Sequence, residues 1–124
     1  MTDVEKAKAL LKEFKGDSYL YGKGVLKDVS KSVKILGKKP VLIRDTFQGS
    51  NRYTDIITES LAQAGIELSG QIKGARSNCP REDLFRIADE LKAMNPDVVI
   101  SFGGGSTIDA AKAAEVLRQL GGDI

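Results

Sequence analysis

The segment from Asp97 to Lys112 places the strongest constraint on the fold of this chain. A short apolar run, Val98 to Phe102, stops at three glycines, Gly103 to Gly105, and passes directly into an alanine-rich helical pattern. Glycine lets the backbone turn sharply and lets another molecule approach without a Cβ atom in the way. The helix beyond supplies unpaired N–H groups and the positive end of its dipole. This strand-turn-helix corner therefore predicts an anion site, most often for phosphate.

Hydrophobic periodicity predicts the other elements of an α/β domain. Thr2 and Glu5 have capping-box spacing before the first helix. From Pro40 onward strands and helices alternate with short connections, which predicts a parallel sheet covered on both faces, a three-layer Rossmann-like fold. The predicted elements are a helix over 3–14, a strand over 18–21, a helix over 26–36, a strand over 41–45, a helix over 53–64, a strand near the sheet edge over 66–72, a helix over 80–94, a strand over 98–102 and a helix over 107–120.

Composition limits the classes of function. With 124 residues, 41% hydrophobic and 29% charged, the chain is typical of one soluble globular domain. Its charged N-terminal segment does not resemble a secretory signal, so we expect a cytoplasmic protein. A net charge of +2 without a long basic run argues against nucleic acid as a partner, and no apolar run is long enough for a membrane span. The single cysteine and the absence of histidine leave no cluster of thiolate or imidazole metal ligands.

Asp45 is the second feature that indicates a ligand. It ends the strand over 41–45, and open parallel sheets bind ligands at the carboxyl ends of their strands. A carboxylate there can accept both hydroxyls of an adenosine ribose and repels a 2′-phosphate, so it favours NAD over NADP. One dinucleotide must reach both Asp45 and the glycine corner. We therefore predict a flavodoxin-like 2-1-3 order of the major strands, with Asp45 within about 15 Å of Gly104.

The order of these features along the chain differs from the common dinucleotide fingerprint, in which the glycines precede the acidic residue. The run from Gly103 to Ala113 closely resembles the signature of the iron-containing alcohol dehydrogenase and glycerol dehydrogenase superfamily, whose members are dehydroquinate synthase-like. In that signature Gly-Gly-Gly-Ser or its Lys variant is followed by an Asp and an Ala-Lys pair. Other consistent features are Gly22 and Gly24, Asp45, and the segment Asn78, Cys79 and Pro80.

The resemblance implies a role for each candidate residue. It implies that Gly104, Gly105 and Ser106 hold the pyrophosphate of NAD, that Asp45 holds the adenosine ribose, and that Asp109 lies toward the nicotinamide. The resulting cofactor-binding set is Asp45, Gly103, Gly104, Gly105, Ser106, Thr107 and Asp109.

The resemblance also implies a second, helical domain that this chain lacks. In similar enzymes that domain supplies Asp and His ligands to a divalent metal, Fe or Zn, which polarises the alcohol oxygen for hydride transfer. We therefore expect residues 1–124 to be the dinucleotide-binding domain of a longer metal-dependent alcohol or polyol dehydrogenase acting on a small alcohol or aldehyde. Whether that enzyme is a homo-oligomer stays open. Alternatives are a relative of dehydroquinate synthase or glycerol-1-phosphate dehydrogenase, or a stand-alone non-catalytic nucleotide-binding module.

Ordinary structural roles also stay open for the candidate residues. The glycine corner can be a tight turn without a ligand, and Asp45 can be a capped or solvated loop carboxylate. Ser106 and Thr107 can be simple N-caps, a role that is compatible with phosphate binding. Asp109 can complement the helix dipole from the first turn. Cys79 is expected to be an inert thiol, since no histidine is present to activate it.

Overall fold

The computed structural model describes residues 2–15 and 22–121. A short 3-10 helix spans Val25–Asp28. The strand expected over 18–21 lies outside the described residues. The remaining elements are α1 (Asp3–Lys15), α2 (Val29–Leu36), β1 (Pro40–Arg44), α3 (Asn51–Gln63), β2 (Gly70–Lys73), α4 (Arg81–Met94), β3 (Val98–Phe102) and α5 (Gly105–Leu120).

The three strands form one parallel sheet in the order β2-β1-β3, which confirms the predicted 2-1-3 arrangement. Val41 on the central strand lies opposite Gly70 on one side and Val99 on the other. Since β1 has a neighbour on both sides, its first four residues are buried. The carboxyl ends of all three strands, and the loops that follow them, therefore meet at one edge of the domain.

Two helical layers cover the sheet and give the expected three-layer α/β fold. Val41 and Ile43 point to one face, where they pack with the alanine-lined side of α5 and with α4. Leu42 points to the other face and packs with Ile57 and Leu61 of α3. Among the described residues, no helix is both long enough and apolar enough to span a membrane.

The N-terminal helix and β2 differ in part from the sequence-based expectation. Thr2 and Glu5 form the predicted capping box, with N–H to side-chain distances of 2.8 and 3.1 Å. The helical spacing of α1 does not produce a buried face in its described part, where Val4 and Leu10 are exposed. The strand expected over 66–72 begins only at Gly70, because β1 begins at Pro40 and offers no earlier partner for pairing.

One carboxylate joins the loop before β1 to the loop before β3. Asp97 accepts hydrogen bonds from the backbone N–H groups of Lys38, at 3.0 Å to Oδ2, and Lys39, at 2.6 Å to Oδ1. These bonds, first that of Lys38 and then that of Lys39, hold the pKa of Asp97 below its ordinary value. A Cβ atom on Gly37 would lie only 2.5 Å from Asp97 Oδ1. The carboxylate thus helps to set where β1 begins relative to β3.

We expect Asp97→Asn to lower the melting temperature at neutral pH, because a neutral amide accepts weaker hydrogen bonds. The folded-state pKa of Asp97 is lowered from 3.8, so its stabilisation is present above pH 3.8 and is lost as the pH falls through the folded value. The difference in melting temperature between wild type and D97N should therefore shrink below about pH 4. Thermal unfolding at several pH values measures it, with Asp89→Asn, at an exposed helical carboxylate, as the control. A difference that does not change with pH would contradict this role.

Candidate functional site

The turn from β3 into α5 requires glycine at one position for reasons internal to the fold. Gly103 has a φ of +151°, a conformation that residues with a side chain rarely adopt. A Cβ atom there would also lie 2.5 Å from Cγ of Asp45. The chain can therefore pass the end of β1 only with glycine at this position.

Asp45 is bonded directly to this turn. Its Oδ2 accepts a hydrogen bond from the Gly104 N–H at 2.8 Å, and its Oδ1 accepts one from the hydroxyl of Thr107. The predicted proximity of Asp45 and Gly104 is therefore confirmed. Asp45 is half-buried, so it is not merely a solvated loop carboxylate. Its first observed role is to hold the glycine turn against the end of β1.

The hydroxyls of Ser106 and Thr107 bind the loop that follows β2, residues 74–79. Thr107 Oγ1 accepts a hydrogen bond from the Ala75 N–H at 3.0 Å, and Ser106 Oγ accepts one from the Asn78 N–H at 3.1 Å. The alternative role of simple N-caps does not apply, because α5 begins two residues earlier than expected, with Gly104 at the N-cap and no side-chain cap. The two hydroxyls instead join neighbouring strand ends.

The same loop has an unusual backbone and its own ion pair. Asn78 and Cys79 have positive φ angles of 65° and 47°, which are uncommon for residues with a side chain. Arg76 donates from its side chain and its backbone N–H to the buried carboxylate of Asp83 on α4. These bonds, led by the Arg76 side chain, lower the pKa of Asp83. Pro80 lies at the N-cap of α4, one residue before the position expected for it.

Gly104 and Gly105 differ from Gly103, because nothing in the protein requires them to be glycine. Neither has a positive φ. A Cβ atom on Gly105 would meet no atom within 4 Å, and one on Gly104 would meet only Asp45 Oδ2, at 3.9 Å. The first turn of α5 also leaves the N–H groups of Gly105, Ser106 and Thr107 without an intrahelical acceptor. An anion that closely approaches these N–H groups would require the absence of side chains.

Asp109 and Lys112 lie further along α5, and both are exposed. Because the helix begins at Gly105, Asp109 is its fifth residue and lies beyond the first turn. The alternative role for Asp109, as a first-turn complement to the helix dipole, is therefore wrong.

A cavity of about 280 Å³ opens beside Asp45 between the carboxyl ends of β1 and β2. Sequence reasoning did not select its other lining residues, which are Thr46, Lys73, Gly74, Ala75 and Arg76. Three aromatic side chains, those of Phe47, Tyr53 and Phe102, form a group with ring centroids 5.7 to 6.4 Å apart. The sequence offered one sign of this aromatic group: Phe47 is an apolar residue in the polar loop that directly follows a strand.

The residues that the structure describes do not form a metal centre. In the part of the chain that the structure describes, no three His, Cys, Asp or Glu side chains come together in a way that could hold a metal ion. The whole sequence contains no histidine. The chemistry that the strand ends offer is that of an anion site, with N–H donors and a neighbouring carboxylate.

Comparison with known proteins places this arrangement in a family. Residues 16–122 match the family described as iron-containing alcohol dehydrogenase. The chain belongs to the iron-containing alcohol dehydrogenase family. The match includes β1 with Asp45, the loop over 74–79 and all of α5, so every element of the site described above lies within it.

Curated relatives in this family differ in substrate and in cofactor. The chain is 33% identical over 85% of its length to a sulfoacetaldehyde reductase of Bilophila wadsworthia. It is 30% identical over 83% to an NAD-dependent methanol dehydrogenase of Bacillus methanolicus and 38% identical over 75% to an NADPH-dependent butanol dehydrogenase of Clostridium saccharobutylicum. The chain spans about a quarter of the length of these relatives, from 23% to 27%.

Two solved structures have the same fold over the region that superposes. An archaeal halo-thermophilic alcohol dehydrogenase from a Red Sea brine pool superposes with a TM-score of 0.70 at 24% identity, over 80% of this chain and 25% of that one. An NADH-dependent butanol dehydrogenase of Thermotoga maritima superposes with a TM-score of 0.67 at 26% identity, over 77% and 24% of the two chains.

We expect Gly103→Ala to lower the free energy of unfolding by more than about 2 kcal/mol, because the new methyl group meets the Asp45 carboxylate at a strained φ. In an Asp45→Ala background, where that carboxylate is gone, the same change should cost at least about 1 kcal/mol less. Urea denaturation of the four proteins measures this coupling. Gly105→Ala serves as the control, since its Cβ meets no atom within 4 Å. An equal cost of G103A in both backgrounds would rule out the proposed contact.

Thr107→Val tests the link between the glycine turn and the loop over 74–79. The substitution keeps the shape of the side chain but leaves Asp45 Oδ1 and the Ala75 N–H without their shared partner. We expect a loss of about 1–3 kcal/mol in the free energy of unfolding, together with faster amide hydrogen exchange at Ala75. Unchanged exchange at Ala75 would contradict the role assigned to Thr107.

Proposed function

We propose that this chain is the dinucleotide-binding domain of an NAD-dependent, metal-dependent alcohol dehydrogenase that transfers hydride between NAD(H) and a small alcohol or aldehyde. The observation that carries the proposal is the pair Gly104 and Gly105. They combine ordinary backbone angles with open space where a side chain would be. Glycine there is explained by a ligand that comes close to the N–H groups of α5, as a pyrophosphate does.

The dinucleotide would lie across the carboxyl ends of β1 and β3. Its pyrophosphate would accept hydrogen bonds from the free N–H groups of Gly105 and Ser106 at the positive end of α5. Its adenosine ribose would lie beside Asp45 and the adjoining cavity of about 280 Å³. Asp45 already accepts two hydrogen bonds within the protein, and a carboxylate has further lone pairs for a ribose hydroxyl.

Asp109 would lie toward the nicotinamide end of the cofactor. It is exposed on α5, one turn beyond the N–H groups assigned to the pyrophosphate. When bound, NAD supplies the hydride-accepting nicotinamide. The residues of this chain orient the cofactor and carry none of the substrate chemistry.

Metal and substrate binding are assigned to another domain of a longer enzyme. The proposal follows from the family, whose name is iron-containing alcohol dehydrogenase, and from relatives of which this chain covers only 27%. The names of those relatives, which refer to sulfoacetaldehyde, methanol and butanol, support a small alcohol or aldehyde as the substrate. The cytoplasmic location expected from the sequence stays a prediction.

Gly105→Ala separates ligand binding from folding. We expect it to weaken binding of NAD and ADP-ribose by about tenfold or more, because its methyl group occupies the space through which a phosphate oxygen reaches the N–H groups. The same change should leave the protein equally or more stable, since alanine is the better helix former by up to about 1 kcal/mol. Titration calorimetry with ADP-ribose and thermal unfolding measure the two effects.

The matched control is Ser32→Ala, which raises helix propensity at an exposed position of α2 far from the turn. It should leave the affinity for ADP-ribose unchanged. If wild type binds neither nucleotide at millimolar concentration, or if G105A binds as well as wild type, the proposed function is wrong.

A further inference from the structure

Two side chains of α4 hold the loop over 74–79, and neither of them lines the cavity of about 280 Å³. Arg86 Nη2 donates to the backbone carbonyl of Gly74 at 2.8 Å, at the start of the loop. Asp83 Oδ2 accepts a hydrogen bond from the backbone N–H of Arg76 at 2.8 Å, two residues further on. The backbone of the loop is therefore attached to α4 as well as to the first turn of α5.

Asp83 also forms an ion pair with the side chain of the residue whose N–H it binds. Arg76 Nε donates to Asp83 Oδ2 at 3.1 Å and Arg76 Nη2 donates to Oδ1 at 3.2 Å, so both carboxylate oxygens are used. The side chain of Asp83 is only 12% exposed, whereas that of Arg76 is 67% exposed. Because the carboxylate accepts three hydrogen bonds from one residue, it fixes the backbone and the side chain of Arg76 together.

The second half of the loop depends on the position of Arg76. The backbone carbonyl of Arg76 accepts a hydrogen bond from the Cys79 N–H at 2.9 Å, which closes a four-residue turn. Asn78 lies inside this turn, with its positive φ of 65°. Its N–H donates to Ser106 Oγ at 3.1 Å. A continuous set of contacts therefore connects Asp83, through Arg76 and the turn, to the start of α5.

The two hydroxyls at the start of α5 differ in how much they depend on this loop. The Thr107 hydroxyl also donates to Asp45, so its position is fixed from the end of β1 as well. Among the described residues, the Asn78 N–H is the only hydrogen-bond partner of Ser106 Oγ. A hydroxyl that accepts from an N–H keeps its own hydrogen for another acceptor. The Ser106 hydroxyl is therefore oriented by the loop, and its hydrogen is available to a bound ligand.

From these contacts we propose that Asp83, on α4, is a positioning residue for dinucleotide binding. The inference rests on the proposed function, because it requires a pyrophosphate at the first turn of α5. Asp83 holds Arg76 in place before the ligand arrives, so the Asn78 N–H keeps the Ser106 hydroxyl ready to donate to a phosphate oxygen. Groups that are oriented in advance need not be ordered on binding, which raises the affinity. Loss of the Asp83 carboxylate therefore weakens nucleotide binding in a protein that is still folded.

Titration calorimetry with ADP-ribose, at a temperature where every variant is folded, tests the role of Asp83. We expect Asp83→Asn to weaken binding by about fivefold, because an amide has the shape of the carboxylate but does not form an ion pair with the guanidinium. Asp89→Asn makes the same change at an exposed position of α4 and should leave the affinity unchanged. Arg76→Lys is a second variant, which leaves the buried carboxylate in place. It keeps the positive charge beside the cavity but loses the two-pronged bond, and we expect about threefold weaker binding.

Ser106→Ala shows whether Asp83 acts through the hydroxyl that the loop orients. In that background we expect Asp83→Asn to weaken ADP-ribose by less than about twofold, since the group that it positions is absent. A purely structural role of Asp83 predicts the same loss of affinity in both backgrounds, and that result would overturn the inference. Equal affinity of wild type and D83N for ADP-ribose would also overturn it, and the proposed function would stand. If wild type itself does not bind ADP-ribose, the proposed function and this inference are both wrong.

Discussion

The hydrogen bonds of one carboxylate, that of Asp45, organise the ligand-binding edge of this domain. They connect the end of β1 to the glycine turn through Gly104 and to α5 through Thr107. Thr107 in turn binds the loop after β2, because its hydroxyl oxygen accepts a hydrogen bond from the Ala75 N–H. Three strand ends that are distant in sequence are thereby held in one arrangement. The free N–H groups of the first turn of α5 lie at the same edge of the sheet.

The glycines around this carboxylate fall into two groups. Gly103 and Gly74 are required by the protein itself, because a Cβ atom on either would collide with Asp45 or Thr107. Gly104 and Gly105 have no such neighbour and no unusual backbone angle that requires glycine. The first group builds the turn, whereas the second leaves it open to another molecule. This division is the physical argument for a ligand at a site that would otherwise be a tight connection.

Much of the fold followed from sequence periodicity, because short connections between alternating strands and helices leave few arrangements of a parallel sheet. The 2-1-3 order and the proximity of Asp45 to Gly104 were predicted on that basis. The roles of Ser106 and Thr107 were not, because each depends on a backbone N–H group about 30 residues away in the chain. The start of β2 was missed because apolar residues before Gly70 pack against the core without pairing.

The central claim is that the N–H groups at the start of α5 bind the pyrophosphate of a dinucleotide, and amide chemical shifts report on those groups directly. Titration of the ¹⁵N-labelled chain with ADP-ribose should move the resonances of Gly105, Ser106 and Thr107 most, along one saturable curve that they share. Resonances on the far end of α4 should stay in place. Saturable binding that leaves the three amides unchanged, or the absence of any saturable shift at millimolar ADP-ribose, would contradict the account.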